Sequence, residues 1–143
     1  MKLLRLPVLL LLAASCRIPL AVDTSGSKFI PREIAIERLK EVLATADGAS
    51  CTLPKISLAR DEIREWKVDD LGLEALAAGK DPIRVAFKDV TGTGIDQLNT
   101  YYQLKIFTPA QPNPGKGHVR INWRLEAPAR RALELIDALW KQP

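Results

Sequence analysis

Apolar residues recur at helical spacing in two segments, one near each end of the body of the chain. The first, "IPREIAIERLKEVLATADG", predicts an amphipathic helix of roughly 15 residues, with Pro31 at the first helical position and Gly48 at the stop. Its apolar stripe consists of Ala35, Leu39, Val42, Leu43 and Ala46. Because acidic residues on the other faces would repel anionic lipid, the pattern favours packing on a sheet over lying on a membrane.

The second segment, "APARRALELIDALWKQP", predicts a closing helix that carries Pro128 in its first turn. Its apolar stripe consists of Ala129, Ala132, Leu133, Ile136, Leu139 and Trp140. The charged residues that we expect away from the centre of this stripe are Arg130, Arg131, Glu134 and Asp137.

Between the helices, alternation of apolar and polar residues predicts β-strands. The segments with this pattern are "PKISL" (54–58), "REWKVD" (64–69), "PIRVAFKDV" (82–90), "YYQLKIF" (101–107) and "HVRINWRLE" (118–126). In the last strand, the residues expected on one face are Val119, Ile121, Trp123 and Leu125. Residues 71–79 predict a short helix or a loop, "TGTG" (91–94) a turn, and "TPAQPNPGKG" (108–117) an irregular projecting loop.

Together these elements predict an α+β fold with an N-terminal amphipathic helix, an antiparallel sheet or partly closed barrel, and a C-terminal amphipathic helix. A strand series that ends in a strand with Trp123 and then a helix with Trp140 resembles the pleckstrin-homology-like fold. The resemblance covers about residues 53–141 and implies a sheet closed by the last helix. It does not imply recognition of a particular lipid headgroup, because the basic cluster of phosphoinositide-binding members is missing from this sequence.

The start of the chain has the three parts of a secretory signal. Lys2 and Arg5 form a positive region, 8–12 an apolar run and 13–15 a small-residue cleavage site. The apolar run is far shorter than the ~20 residues that span a bilayer. Directly after it stands Cys16, and "AASC" resembles the lipobox of bacterial lipoproteins.

In that family the cysteine is acylated and the leader is cut before it. The resemblance therefore implies a signal peptide over 1–15, a lipidated Cys16 and export to a membrane-anchored position. In Gram-negative lipoproteins a residue other than aspartate after the cysteine, here Arg17, implies sorting to the periplasmic face of the outer membrane. We expect a flexible tether over 16–29 and a single domain over 30–142.

Two alternatives to lipidation stay open. One is an ordinary cleaved signal with a coincidental cysteine. The other is a disulfide between Cys16 and Cys51, which an oxidising compartment would allow. If Cys16 is acylated, Cys51 has no partner in the chain and is expected to be a small buried apolar residue.

Charge and composition exclude several classes of function. Of the 21 basic residues two lie in the leader, so the rest exceed the 17 acidic residues by only two, and we expect no nucleic-acid partner. The two cysteines and the single histidine, His118, lie at no metal-ligand spacing, and no cofactor is predicted. No catalytic motif is present, so we do not expect an enzyme. An envelope hydrolase would need His118 to converge with an acid and a nucleophile.

The predicted partner contact consists of Lys105, Lys116, His118, Arg120 and Arg124, on neighbouring strands and on the projecting loop. The alternative is an ordinary solvated face of a half-buried sheet. We therefore predict a lipid-anchored, non-enzymatic protein-interaction or envelope-assembly module, whose oligomeric state the sequence leaves open. The alternative is a carrier or sensor of a small apolar or lipid ligand, which would need a deep pocket lined by Phe87, Ile106 or Trp123.

Overall fold

A computed structural model describes residues 17–110 and 118–142 of the chain. The helices are α1 (Arg32–Leu43) and α2 (Glu126–Trp140). The strands are β1 (Ile18–Leu20), β2 (Gly48–Cys51), β3 (Ile56–Ala59), β4 (Ile63–Val68), β5 (Gly72–Ala77), β6 (Ile83–Ala86), β7 (Gly92–Gln97), β8 (Tyr102–Phe107) and β9 (Val119–Trp123). Short 3₁₀ helices span Ser25–Phe29, Arg60–Glu62 and Phe87–Asp89.

The strands form two antiparallel sheets, and the predicted α+β class is confirmed. One sheet has six strands in the order β1-β7-β8-β9-β2-β3, and the other has three in the order β4-β5-β6. No barrel closes within the described residues. Helix α2 lies over the inner faces of β7, β8 and β9, and α1 packs beside α2 and β4. The core lies between these helices and the sheets, with Trp123 and Ile121 buried at its centre.

The first helix ends earlier than predicted, at Leu43. Gly48 does not stop a helix but begins β2, a strand that the sequence analysis missed. Its inward residues Ala49 and Cys51 are buried opposite Ile121 and Val119 of β9. This strand is four residues long and rich in small residues, so it lacks the β-branched pattern by which strands are recognised.

Two further segments were predicted wrongly because small residues hide strand alternation. Residues 71–79 contain β5, whose Leu73 and Ala75 are buried, rather than a helix or a loop. Its first residue, Gly72, lies so close to β6 that an added Cβ would come within 2.1 Å of the Val85 carbonyl oxygen. The "TGTG" segment is not a turn, because three of its four residues begin β7.

The segment predicted as a flexible tether belongs to the folded domain over its described part. Strand β1 pairs with β7 through three residue pairs, Ile18 with Gln97 being the first. Ser27 is buried and donates a hydrogen bond to the Glu134 carbonyl oxygen of α2, at 3.0 Å. This segment lacks long apolar runs, and its place in the fold comes from pairing with β7, a strand distant in sequence.

The closing helix follows its predicted stripe, but two residues do not lie where they were expected. Leu125, expected on the inward face of the last strand, lies beyond the end of β9 and is 70 % exposed. Asp137, expected away from the apolar stripe, is only 2 % exposed. Its carboxylate accepts hydrogen bonds from Thr93 and Trp140, both at 2.7 Å, and so joins α2 to β7. Buried carboxylates require such partners.

Candidate functional site

The register of the six-stranded sheet gives it two ends with different chemistry. At one end Ile18, Gln97, Tyr102 and Trp123 lie side by side across four strands. At the other end the neighbouring residues are Thr93, Ile106, Val119, Cys51 and Ile56. We call the first the Arg17 end, because Arg17 precedes β1 there, and the second the His118 end, because His118 precedes β9 there.

The His118 end brings together the histidine and the described cysteine, which the sequence separates by 67 residues. Cys51 is a free, buried thiol, and its Sγ lies 3.3 Å from His118 Nε2. The same ring nitrogen lies 3.0 Å from the Leu53 carbonyl oxygen, and Nδ1 lies 2.8 Å from Thr108 Oγ1. One tautomer is consistent with this arrangement: Nε2–H donates to the Leu53 carbonyl oxygen, Nδ1 accepts from the Thr108 hydroxyl, and the Cys51 thiol donates to the Leu53 carbonyl oxygen at 3.6 Å.

This cluster contains an uncharged thiol rather than a reactive thiolate. Burial raises the pKa of Cys51, and the opposing effects of the Leu53 backbone contact and the Arg120 charge are smaller. A cysteine nucleophile needs a lowered pKa, so the arrangement does not fit thiolate chemistry at neutral pH. Because its groups come from the ends of β2 and β8 and the start of β9, the cluster fastens these strand ends together.

The described contacts of His118 do not include the acid that a hydrolase would need beside this histidine. A carboxylate, Asp89, borders the same cleft of about 230 Å³ as His118. The described hydrogen-bond partners of the imidazole are a hydroxyl, a main-chain carbonyl and a thiol instead. The hydroxyl belongs to Thr108, which is 5 % exposed and borders the same cleft.

At the Arg17 end the sheet contains a buried charge. Asp96 of β7 is 1 % exposed, and its Oδ2 lies 3.0 Å from Lys105 Nζ and 3.3 Å from Arg17 Nη1. Lys105 is itself largely buried, with 12 % of its side chain exposed. The cluster joins β7 to β8 and to the residue before β1, and each cation compensates a carboxylate that would be costly to bury alone.

The predicted contact residues are distributed over this sheet with different surroundings. Lys105 and Arg120 are register partners on β8 and β9. Arg120 donates to Ser50 Oγ at 3.1 Å and to Thr52 Oγ1 at 2.8 Å, so both cations have partners within the chain. Arg124 is exposed beyond β9. The other two predicted residues, Lys116 and the lipidation residue Cys16, lie outside the described residues.

The described clefts lie on the surface. Ile106 and Trp123 are 0 % and 1 % exposed and border none of them, so the space between sheet and helices is filled at these two residues. Phe87 borders an open cleft of about 590 Å³ beside the C-terminal end of α2. The apolar residues that line this cleft include Phe87, Leu139 and Trp140. Lys88 also lines it, together with Arg32, which is paired with Asp70 at 2.9 Å.

Within residues 17–110 and 118–142, no helix combines the length and apolar character needed to cross a bilayer. The same residues contain no group of three or more histidine, cysteine or acidic side chains that could hold a metal ion. No protein-family model, curated protein or solved structure matches the chain.

Sequence reasoning considered Cys51 and His118 separately and missed their convergence. Cys51 ends β2 and His118 precedes β9 at the same end of the sheet, but that end is defined only by the pairing of β2 with β9. Because β2 was not recognised as a strand, no sequence signal connected the two residues. The buried Asp96 was missed for a similar reason, since 91–94 was predicted as a turn and no strand was predicted over Gly92–Gln97.

Proposed function

We propose that this chain is a lipid-anchored, non-enzymatic module of a bacterial envelope, attached through an acylated Cys16 and exposed to the periplasm, where it binds a protein partner. The lipobox-like sequence "AASC" and the short apolar leader support export and lipidation. The proposed location is the periplasmic face of the outer membrane, as the residue after the cysteine, Arg17, is not aspartate.

The observation that carries the proposal is the position of Arg17. This residue lies at the start of β1, whereas Cys51 lies on β2, four strands away in the order β1-β7-β8-β9-β2 and at the opposite end of the sheet. Four strand spacings amount to about 19 Å. A disulfide needs Cα atoms about 4.4–6.8 Å apart, and residue 16 is only one Cα step of about 3.8 Å from Arg17. A bridge to Cys51 would therefore require β1 to leave the sheet, which favours the lipidation alternative.

The filled core favours a protein partner over an enclosed ligand. Two of the three residues that a deep apolar pocket would expose, Ile106 and Trp123, are buried by other side chains. We propose that partner contact involves the connection that follows Thr108, which contains Lys116, and the basic residues His118, Arg120 and Lys105 on or beside the neighbouring strands. Arg124 follows Trp123 at the opposite end of β9 and is therefore left out of this contact. Loops held by a rigid sheet commonly carry binding surfaces.

We also propose that the α+β fold is pleckstrin-homology-like. Its support is the order of the last elements: β9 carries the buried Trp123, and α2 follows directly and lies over the inner faces of β7, β8 and β9.

Mass spectrometry of the native protein tests the anchor. We expect the Cys16 peptide to carry a diacylglyceryl group, and the wild type but not Cys16→Ser to sediment with membranes. Cys51→Ala is the matched control, since it removes the other thiol and should leave the protein in the membrane fraction. A free thiol at Cys16, or equal sedimentation of Cys16→Ser, would disprove the proposed anchoring.

Crosslinking in membranes tests the partner contact. We expect Lys116→Glu to abolish a crosslinked partner that the wild type captures, with little change in Tm. Lys40→Glu makes the same charge change at an exposed position outside the predicted contact and should retain the partner. Unchanged capture by Lys116→Glu would exclude this surface.

The open cleft at Phe87 supports the alternative function of binding a small amphiphile, because the exposed Lys88 lines it together with apolar side chains. Native mass spectrometry of the chain, purified without detergent exchange, would detect such a ligand. Binding that is lost in Phe87→Asp or Lys88→Glu would favour this alternative. An unoccupied wild-type protein that still captures its partner would reject it.

A further inference from the structure

We propose that the Arg17 end of the six-stranded sheet rests against the phospholipid headgroups of the membrane, so that the His118 end faces away from it. This inference depends on the acylation of Cys16 proposed above. It adds an orientation and a lipid-facing surface to that proposal.

The linkage between the lipidated residue and the folded domain is short. Strand β1 begins at Ile18, and Arg17 already contacts the buried Asp96. Only the bond between residues 16 and 17 separates the lipidated residue from the folded domain, a Cα step of about 3.8 Å. The lipid chains must enter the bilayer at Cys16, so the neighbouring part of the domain is held at headgroup depth.

The direction of β1 places Arg17 at one end of the sheet. Because β1 is antiparallel to β7 and Ile18 pairs with Gln97, Arg17 lies at the C-terminal end of β7. The turn that follows, residues 98–101, joins β7 to β8 at this same end. Asn99 and Thr100 are exposed in this turn, so they are expected to lie beside the point of attachment.

The exposed side chains at this end suit a membrane interface. Ile18 is 55 % exposed and Leu125 is 70 % exposed, and the exposed Arg124 stands next to Leu125. Apolar side chains beside a cation gain from contact with acyl chains and anionic headgroups. The neighbouring acids Asp47 and Glu126 are each paired with an arginine, Arg60 at 3.7 Å and Arg130 at 3.4 Å.

The orientation has a consequence for partner binding. Thr108 and His118, which bracket residues 109–117, lie at the opposite end of the sheet from Arg17. Along a strand such as β9 the two ends are four residue steps apart, which is about 13 Å. The connection predicted to contact a partner therefore starts and finishes on the side directed into the aqueous compartment.

Fluorescence quenching by headgroup-labelled lipid tests the orientation. The full chain with its native acylation is placed in vesicles of phosphatidylethanolamine and phosphatidylglycerol that contain a nitroxide headgroup lipid. A thiol-reactive fluorophore is attached at Asn99→Cys or, as the matched control, at Lys55→Cys in the exposed turn between β2 and β3. The unsubstituted chain should take up no label, because Cys51 is 3 % exposed.

We expect loss of emission from the Asn99 position and none from the Lys55 position. Equal quenching at both positions, or none at Asn99, in protein that the vesicles retain would overturn the orientation while leaving the anchor intact. Retention of Cys16→Ser equal to that of the wild type would instead overturn the anchor itself.

An inserted spacer tests whether the short linkage to Cys16 is what holds the Arg17 end at the membrane. A nine-residue Gly/Ser insertion between Cys16 and Arg17 spans about 15–18 Å on average. It should leave vesicle retention unchanged and restore emission at Asn99. The same insertion between Gly79 and Lys80, in the exposed turn before β6, should leave the quenching unchanged. Undiminished quenching with the first spacer would contradict a domain held down by its linkage.

Discussion

The two ends of the six-stranded sheet are held by polar clusters of opposite kinds. At the Arg17 end a carboxylate that is 1 % exposed lies between two cations. At the His118 end an uncharged thiol, a hydroxyl and a carbonyl oxygen surround one imidazole. Both clusters join strands that are distant in sequence, β1 to β7 and β8 in one case and β2 to β8 and β9 in the other.

Because one cluster is charged and the other is uncharged, the two ends should lose different amounts of stability when one side chain is removed. A buried charge left without its counter-charge costs far more than an uncharged group left without one hydrogen bond. The Arg17 end should therefore depend on a single residue, Asp96. The His118 end shares its contacts among several groups, so each substitution there should cost less.

The largest effect is expected from Asp96→Ala. Removing this carboxylate takes away the anion that lies 3.0 Å from Lys105 Nζ, in a place where the Lys105 side chain is only 12 % exposed. We expect the free energy of unfolding to fall by about 3–5 kcal/mol, measured by urea denaturation. Asp81→Ala, at an exposed position, is the control and should stay within about 0.5 kcal/mol of the wild type. A loss at Asp96 as small as at Asp81 would show that the cluster is not a stabilising one.

An intermediate effect is expected from His118→Ala. The substitution leaves Thr108, 5 % exposed, and the Leu53 carbonyl oxygen without a shared partner, at a cost of about 1–3 kcal/mol. Thr108→Val removes one side of the same contact, so the double variant should lose less free energy of unfolding than the sum of the single variants. Strict additivity in urea denaturation would mean that the two side chains do not act together.

The same contrast explains which elements could be predicted from sequence. The strands β8 and β9 and the helix α2 have long apolar residues at regular spacing, and their positions were predicted correctly. Strand β2 consists of glycine, alanine, serine and cysteine, β5 mixes glycine and alanine with Leu73, Glu74 and Leu76, and β7 begins with glycine and threonine, so their alternation carries little hydrophobic signal. These segments were not predicted as strands, because pairing with strands distant in sequence or beyond a turn, rather than a regular pattern of β-branched residues, places them in the sheets.

Both polar clusters depend on the strands that were missed. Asp96 belongs to β7, and Cys51 belongs to β2. Without the pairing of β1 with β7 and of β2 with β9, no spacing rule brings Arg17 to Asp96 or His118 to Cys51. Charged and nucleophilic groups far apart in sequence are therefore predictable only after the register is known.

A smaller effect on the free energy of unfolding is expected when alkaline pH removes the proton of Cys51. Burial raises the pKa of this thiol, so the folded state favours the protonated form. This contribution to stability is complete below the thiol pKa of an unfolded chain, ~8.5, and is lost as the pH rises through the higher folded value. Comparing the wild type with Cys51→Ala across alkaline pH isolates it, since the stability difference should shift in favour of Cys51→Ala as the pH rises.

The thiol itself offers a second measurement of the same protonation. Alkylation of Cys51 by iodoacetamide at neutral pH should be slow in the native protein and fast in urea, because burial both shields the sulfur and disfavours the thiolate. Fast native alkylation would contradict an uncharged His118 end and would instead indicate a thiolate paired with the imidazole.

The smallest effect on stability is expected from Arg17→Ala. The Arg17 side chain is 42 % exposed, and Lys105 stays 3.0 Å from Asp96 when it is removed, so urea denaturation should show a loss of about 0–1 kcal/mol. Lys105→Ala provides the matched comparison and should cost more, since it removes the more buried cation. Equal losses from the two variants would mean that Arg17 is as necessary to the buried charge as Lys105. Arg17→Ala could also lose almost no free energy of unfolding and yet show weaker quenching at Asn99. The guanidinium would then contribute to the orientation of the domain and not to its folding.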